Sequence, residues 1–211
     1  MDDIEAPAGL SGNAEPAWGS DTMAQAVRNI GCKYVALNPG ASFRGFHDSL
    51  VNFLGNRNPQ MILCLHEDHA VSIAHGYAKA AGEPMAVVLH SNVGLMHGSM
   101  GIFNAFCDRV PVMVIGATGP VDAAKRRPWI DWIHTAQDQG GLIRNFIKWD
   151  DQPASVEAAI ESIYRANKIA RTAPCGPVYV CLDADLQELQ LGAPIVPPEA
   201  HRFAASDAPR P

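Results

Sequence analysis

The chain has 211 residues, 47% of them hydrophobic, and a formal net charge of -6. That is enough apolar material for one sizeable core, while the acidic balance and a single short basic run, Lys125 to Arg127, exclude the electrostatic footprint of a nucleic-acid binder. No apolar run approaches the roughly 20 residues that a membrane-spanning helix requires, and the opening MDDIEAPAGLSGNAEPAWGS has neither the basic nor the apolar region of an export signal, so a cytoplasmic protein is expected.

Short apolar runs alternate with longer segments of helical period, the pattern of a parallel sheet covered by helices. Ser20 can cap a helix reaching Ile30, which Gly31 stops, and KYVALN follows as the first strand. After the turn NPGAS, Ser42 or a neighbour opens a second helix to Leu54, which Gly55 to Pro59 breaks before strand MILCL. A helix from Glu67 to about Ala81 leads to PMAVVLHS, whose unbroken apolar character suits a strand covered on both faces. NVGLMHGSMG opens a helix ending near Asp108, and strand VPVMVIGA comes next. Residues 117 to 140 show little period beyond a short helical turn in IDWIHTAQ. FIKW is expected as a strand, Pro153 suits the first turn of a helix to about Ala170, and PVYVCLD is the last strand.

The fold class expected is α/β: a doubly wound, mostly parallel sheet of about six strands with helices on both faces. Residues 1–19 read as a disordered tail, 20–190 as the domain, and 191–211 as a linker towards a further domain. Five cysteines (Cys32, Cys64, Cys107, Cys175, Cys181) form no C-x-x-C pair and read as small buried hydrophobes in a reducing compartment.

Three strand-to-helix junctions carry chemistry-bearing residues: NPGAS at 38–42, HEDH at 66–69 and HSNVGLMHGSMG at 90–101. In open parallel sheets ligands bind beyond the carboxyl ends of the strands, where these junctions fall together. Gly40, Gly94, Gly98 and Gly101 could admit a ligand close to the backbone or serve turns and helix packing. Neither G-x-G-x-x-G nor the phosphate-loop motif occurs. H-E-D-H is not the zinc motif H-E-x-x-H, and the histidines at 66, 69, 75, 90 and 97 read as solvent-facing or hydrogen-bonded, with no metal ligand assigned. Glu67, taken alone, is an acid at a helix N-terminus, an interaction worth about 0.3 to 1 kcal/mol.

Residues 21–185 resemble the N-terminal pyrimidine-binding domain of thiamine diphosphate (ThDP) enzymes of the acetolactate synthase, benzoylformate decarboxylase and pyruvate decarboxylase group. The resemblance is carried in order by NPGASFRGF, LHEDHAVSIAHGYAKAAGEP, LHSNVGLMHGSMGIFNAFCDRVPVMVIGATGP, FIKWDDQPAS and APCGPVYVCLDAD. It implies that Glu67 hydrogen-bonds N1′ of the cofactor's aminopyrimidine and favours its 4′-imino tautomer. An apolar setting from MILCL and from Ala70, Ala74, Ala78 and Ala81 would stabilise the protonated carboxyl. The resemblance further implies catalytic roles for His90 in proton transfer and for His134 facing the substrate. Pro39, Gly40, Gly94, His97 and Asn104 join Glu67 and His90 as cofactor-binding residues.

Departures from the family pattern are Ala41 then Ser42 where benzoylformate decarboxylases have Ser directly after N-P-G, His97 where many relatives have Asn, and GATGP in place of G-Q-V-P. The implied cofactors are ThDP and Mg²⁺, the latter held by a domain absent from this chain, since no G-D-G occurs. The implied substrate is a small 2-oxo acid and the implied assembly a homodimer or homotetramer, with central and diphosphate-binding domains supplied elsewhere. Met96, Met100 and Phe103 are candidate contact residues, core packing being their alternative. A non-catalytic nucleotide- or ligand-binding module of the same architecture is the competing reading.

Overall fold

A computed structural model describes residues 15–206, so the expected N-terminal tail lies, up to residue 14, outside the described residues. Six strands form one sheet: β1 (Tyr34–Leu37), β2 (Gln60–Leu63), β3 (Met85–Leu89), β4 (Val112–Thr118), β5 (Asp150–Asp151) and β6 (Val178–Asp183). Their order is β2-β1-β3-β4-β6-β5, and every pairing is parallel. The helices are α1 (Gly19–Asn29), α2 (Arg44–Asp48), α3 (Glu67–Ala81), α4 (Ser91–Cys107), α5 (Ile130–Ile133), α6 (Val156–Arg171) and α7 (Ala184–Gln187).

Alternation along the strands divides the core into two layers, as the period of two demands. Val35, Leu37, Ala86 and Val88 face α1 and α6, packing with Met23, Val27, Ile160 and Ile163. Ala36, Met85, Val87 and Leu89 face α3 and α4, packing with Val71, Ala74, Leu95 and Ile102. Both faces are covered, so the strands read as continuous apolar runs, and the expected doubly wound α/β fold is the one observed. No helix among the described residues is long and apolar enough to cross a membrane.

Several local expectations are corrected. Helix α1 starts at Gly19, and Ser20 lies inside it, because the Asp21 carboxylate turns back to accept from the backbone N–H groups of Ala17 and Trp18 at 2.9 and 3.0 Å. The expected helix from Ser42 to Leu54 is broken into a 3₁₀ turn (Ala41–Phe43), α2 and a π turn (Ser49–Phe53), with the buried Ser49 hydroxyl donating to Asp21 of α1 at 2.7 Å. FIKW is not a strand: pairing with β6 is confined to Asp150 and Asp151, flanked by single bonds at Lys148 and Trp149. Helix α6 is capped by Ser155, which accepts from Ala158 N–H at 3.1 Å, and Pro153 precedes it.

The stretch expected as linker is laid along the domain as far as it is described. Leu191, Ile195 and Phe203 pack against the core, and the Phe203 ring lies 5.4 Å from that of Tyr164. Cys32, Cys64 and Cys181 are buried as expected, whereas Cys107 is exposed and Cys175 partly so.

The strand order places the chain's reversal between β1 and β3, since β2 lies outside β1 and the remaining strands lie beyond β3. A crevice opens at such a switch point because the connections diverge to opposite sides. Beside it, α3 and α4 approach closely through glycines of α4: a Cβ on Gly101 would stand 2.9 Å from Val71 Cγ1, and one on Gly98 3.1 Å from Val71 Cγ2 and Leu89 Cδ1. These two glycines therefore serve helix packing. Gly101→Val should cost about 1 to 3 kcal/mol through overpacking, and thermal unfolding should show a midpoint lower by several degrees.

Candidate active site

Three loops meet at the switch point. Asn38 to Ser42 leave β1, His66 and Glu67 open α3 after β2, and His90 caps α4 after β3. Glu67 is the first residue of α3 and only 6% exposed, although its neighbours Leu65 and His66 are exposed. Its carboxylate is held on both oxygens: Asn38 Nδ2 donates to Oε1 at 3.0 Å, and His97 Nδ1 lies 3.2 Å from Oε2.

Burial pushes the Glu67 carboxyl up, but hydrogen bonds from Asn38, from its own backbone N–H and from His97 outweigh it, so the group sits below the ordinary glutamate value. This corrects the expectation of a proton-bound carboxyl in an apolar setting. Ala70, Ala74 and Ala78 do form a buried face below it, whereas Ala81 is exposed at the far end of the helix.

Gly40 and Gly94 frame the crevice. A Cβ on Gly40 would stand 2.4 Å from His90 Cβ; one on Gly94 would lie 3.3 Å from Glu67 Oε1 and 3.3 Å from His90 Cβ. Both are close-approach positions: Gly40 lets the backbone lie against the His90 side chain, and Gly94 lets α4 lie against Glu67 and His90. Pro39 is exposed on the rim.

His90 is partly buried, and its Nδ1 lies 2.8 Å from Ser42 Oγ and 3.3 Å from Ser42 N–H. Burial lowers its basicity, the neighbouring His134 lowers it further, and Glu67 partly offsets both, leaving its pKa below the usual 6.5. The His134 ring is 4.6 Å from that of His90, tilted by 45°. The loop carrying His134 is pinned to the start of α4: Ser91 Oγ donates to His134 O, and Asn92 Nδ2 donates to Ile133 O at 3.3 Å. Ser91 adopts a φ of 48° while fully buried, a backbone strain of the kind that concentrates at functional sites.

The structure thus brings Gly40, Glu67, His90, Gly94, His97 and His134 together. It does not bring Asn104, which is exposed on α4 about 10 Å beyond His97 at 1.5 Å per residue. Sequence reasoning missed Asn38, the partner of Glu67, and Ser42, the partner of His90. Asn38 lay in view as the polar residue ending an apolar strand, but its target, 29 residues on, is fixed only by strand order. His66, Glu67 and His97 offer ligand atoms within 4.8 Å of one another. Two imidazoles with one carboxylate do not suit Mg²⁺, which takes oxygen ligands, so magnesium does not fit this group. A buried carboxylate hydrogen-bonded at both oxygens suits the ring nitrogen of the aminopyrimidine half of ThDP.

The fold is an α/β domain with a buried, hydrogen-bonded carboxylate at its switch point. The family model described as "Thiamine pyrophosphate enzyme, N-terminal TPP binding domain" matches residues 17–142, and the chain belongs to that family. The acetolactate synthase large subunit of Lactococcus lactis is 30% identical over 178 residues, 84% of this chain and 29% of the relative. A benzoylformate decarboxylase of Pseudomonas aeruginosa is 27% identical over 159 residues, 75% of this chain and 28% of the relative. Among solved structures, a ThDP-dependent 4-hydroxybenzoylformate decarboxylase of Rhodococcus jostii RHA1 superposes with a TM-score of 0.74 at 23% identity, covering 92% of this chain and 34% of that one. The chain therefore spans about a third or less of the length of these proteins.

Removing the Asn38 donor takes away a hydrogen bond that favours ionised Glu67, so Asn38→Leu should raise its pKa, as read by carbon NMR of the carboxyl. The depressed group contributes stability that is present above the ordinary value of 4.5 and lost as pH falls. The variant should lose about 1 kcal/mol of stability at neutral pH and less in acid.

Proposed function

We propose that this chain is the pyrimidine-binding portion of a ThDP- and Mg²⁺-dependent enzyme that decarboxylates a 2-oxo acid, with release of an aldehyde or ligation to a second carbonyl compound. The observation that carries the proposal is the buried Glu67 carboxylate at the switch point, held by Asn38 and His97 and packed against Gly94. Together with the family match, it favours the enzyme over the non-catalytic binding module.

Glu67 would accept a hydrogen bond from, or share a proton with, the aminopyrimidine ring nitrogen, its carboxylate already placed by Asn38 and His97. When bound, ThDP supplies the electron sink that a departing carbon dioxide requires. His90 and His134, whose rings lie 4.6 Å apart, would meet the reacting carbonyl. Mg²⁺ and the diphosphate would be held by a further domain, and the domain boundary proposed near residue 190 leads towards it.

The assembly proposed is a homodimer or homotetramer. Core packing as the role of Met96, Met100 and Phe103 is set aside, because they are 53%, 58% and 41% exposed. With Val93 they form one outward stripe of α4 that runs past His97. Met100→Glu should shift the sedimentation of the chain towards the monomer, and an unchanged profile would remove this face from the interface.

In the complete enzyme, Glu67→Gln should slow deuterium exchange at the thiazolium C2 of bound ThDP by about 10²-fold or more. Exchange at the original rate would overturn the role of Glu67.

A further inference from the structure

The two histidines are not equivalent, and the difference is written in what holds each ring. Nδ1 of His90 faces the backbone N–H of Ser42 at 3.3 Å. An amide can only donate, so this nitrogen carries a lone pair, and the Ser42 hydroxyl at 2.8 Å donates to it as well. The proton of neutral His90 is then on Nε2. His134 is held the other way round: its Nδ1 lies 2.7 Å from the carbonyl oxygen of Ile130, which can only accept. Nδ1 of His134 therefore carries the proton, and its Nε2 is bare.

Ser42 is itself firmly placed. It is 5% exposed, and its carbonyl accepts from the side-chain amide of Gln187, 1% exposed, at 3.0 Å; Gln187 Oε1 accepts in turn from Phe46 N–H at 3.2 Å. The Ser42 donors therefore cannot swing away without disturbing a buried network.

A second proton on His90 would have to enter at Nδ1, against two donors. A second proton on His134 enters at Nε2, which no described side chain occupies. We propose that Ser42 is a positioning residue that locks His90 as a neutral Nε2–H donor, and that His134 is the member of the pair that takes up and returns a proton. This rests on the 2-oxo acid reading of the site. There, His90 would donate a hydrogen bond to a substrate carboxylate or carbonyl oxygen, while Nε2 of His134 would take a proton from solvent and hand it to the substrate. The charged groups around the pair are Glu67 across the crevice and Asp131 with its partner Arg127 on the His134 loop. The depressed basicity of His90 agrees with this division of labour.

Nitrogen NMR of the histidine rings in the 211-residue chain tests it without any cofactor. Expected are Nε2–H on His90 and Nδ1–H on His134 at neutral pH. Ser42→Ala keeps the backbone donor and loses the hydroxyl, so it should leave the tautomer in place but raise the pH at which His90 gains its second proton, and Ser42→Thr should reverse that rise. Nδ1–H on His90 in the unaltered chain, Nε2–H on His134 in place of Nδ1–H, or a His90 titration unmoved by Ser42→Ala would each overturn the proposal. The first two need no variant, so poor folding of Ser42→Ala leaves them decisive. Unaltered C2 exchange in Glu67→Gln, with the ring states as expected, would sink the cofactor reading alone.

Discussion

The close approach of α3 and α4 is the constraint on which the site depends. Glu67 begins one helix, and His90 and His97 belong to the start and the second turn of the other. Only because Gly98 and Gly101 let Val71 lie against the backbone of α4 can His97 reach the Glu67 carboxylate, and only then does Gly94 lie against it. Larger side chains at these positions would wedge the helices apart, and the carboxylate would lose one of its two partners. Helix packing here sets the electrostatics of a titrating group.

Around that contact the polar groups are committed in pairs, and the commitments decide the chemistry. Asn38 and His97 oppose the burial of Glu67 and keep it acidic. Ser42 fixes one imidazole and the carbonyl of Ile130 fixes another, each through Nδ1, the first as an acceptor and the second as a donor. The basic run Lys125 to Arg127 shows the same economy on the surface. Lys125 pairs with Asp185, Arg127 with Asp131, and Arg126 donates to the carbonyls of Pro120 and Val121, which consumes the whole run internally.

Much of the fold was legible because parallel strands covered on both faces are apolar along their length. MAVVL and VYVCL need no partner to be recognised, and Gly82 ends α3 in the left-handed conformation that its type predicts. FIKW failed on the same criterion: its apolar residues pack beneath an edge, where ladder bonds are few. The tail after residue 190 was read from its prolines, but Leu191, Ile195 and Phe203 carry enough apolar surface to hold it against α6 and its neighbours.

By itself the sequence determined the alternation of strands and helices, the three polar junctions, and the motif order that carries membership of the thiamine pyrophosphate enzymes, because these are local patterns or runs of fixed spacing. Which junction residues act together was decided only by the tertiary structure. Asn38 finds Glu67, Ser42 finds His90, and His134 finds its fellow histidine across separations of 29, 48 and 44 residues, while Asn104, on the same helix as His97, is carried away from the crevice. The physical reason is the strand order: it reverses between β1 and β3, and hydrogen bonds form between groups that the sheet brings side by side, whatever their distance along the chain.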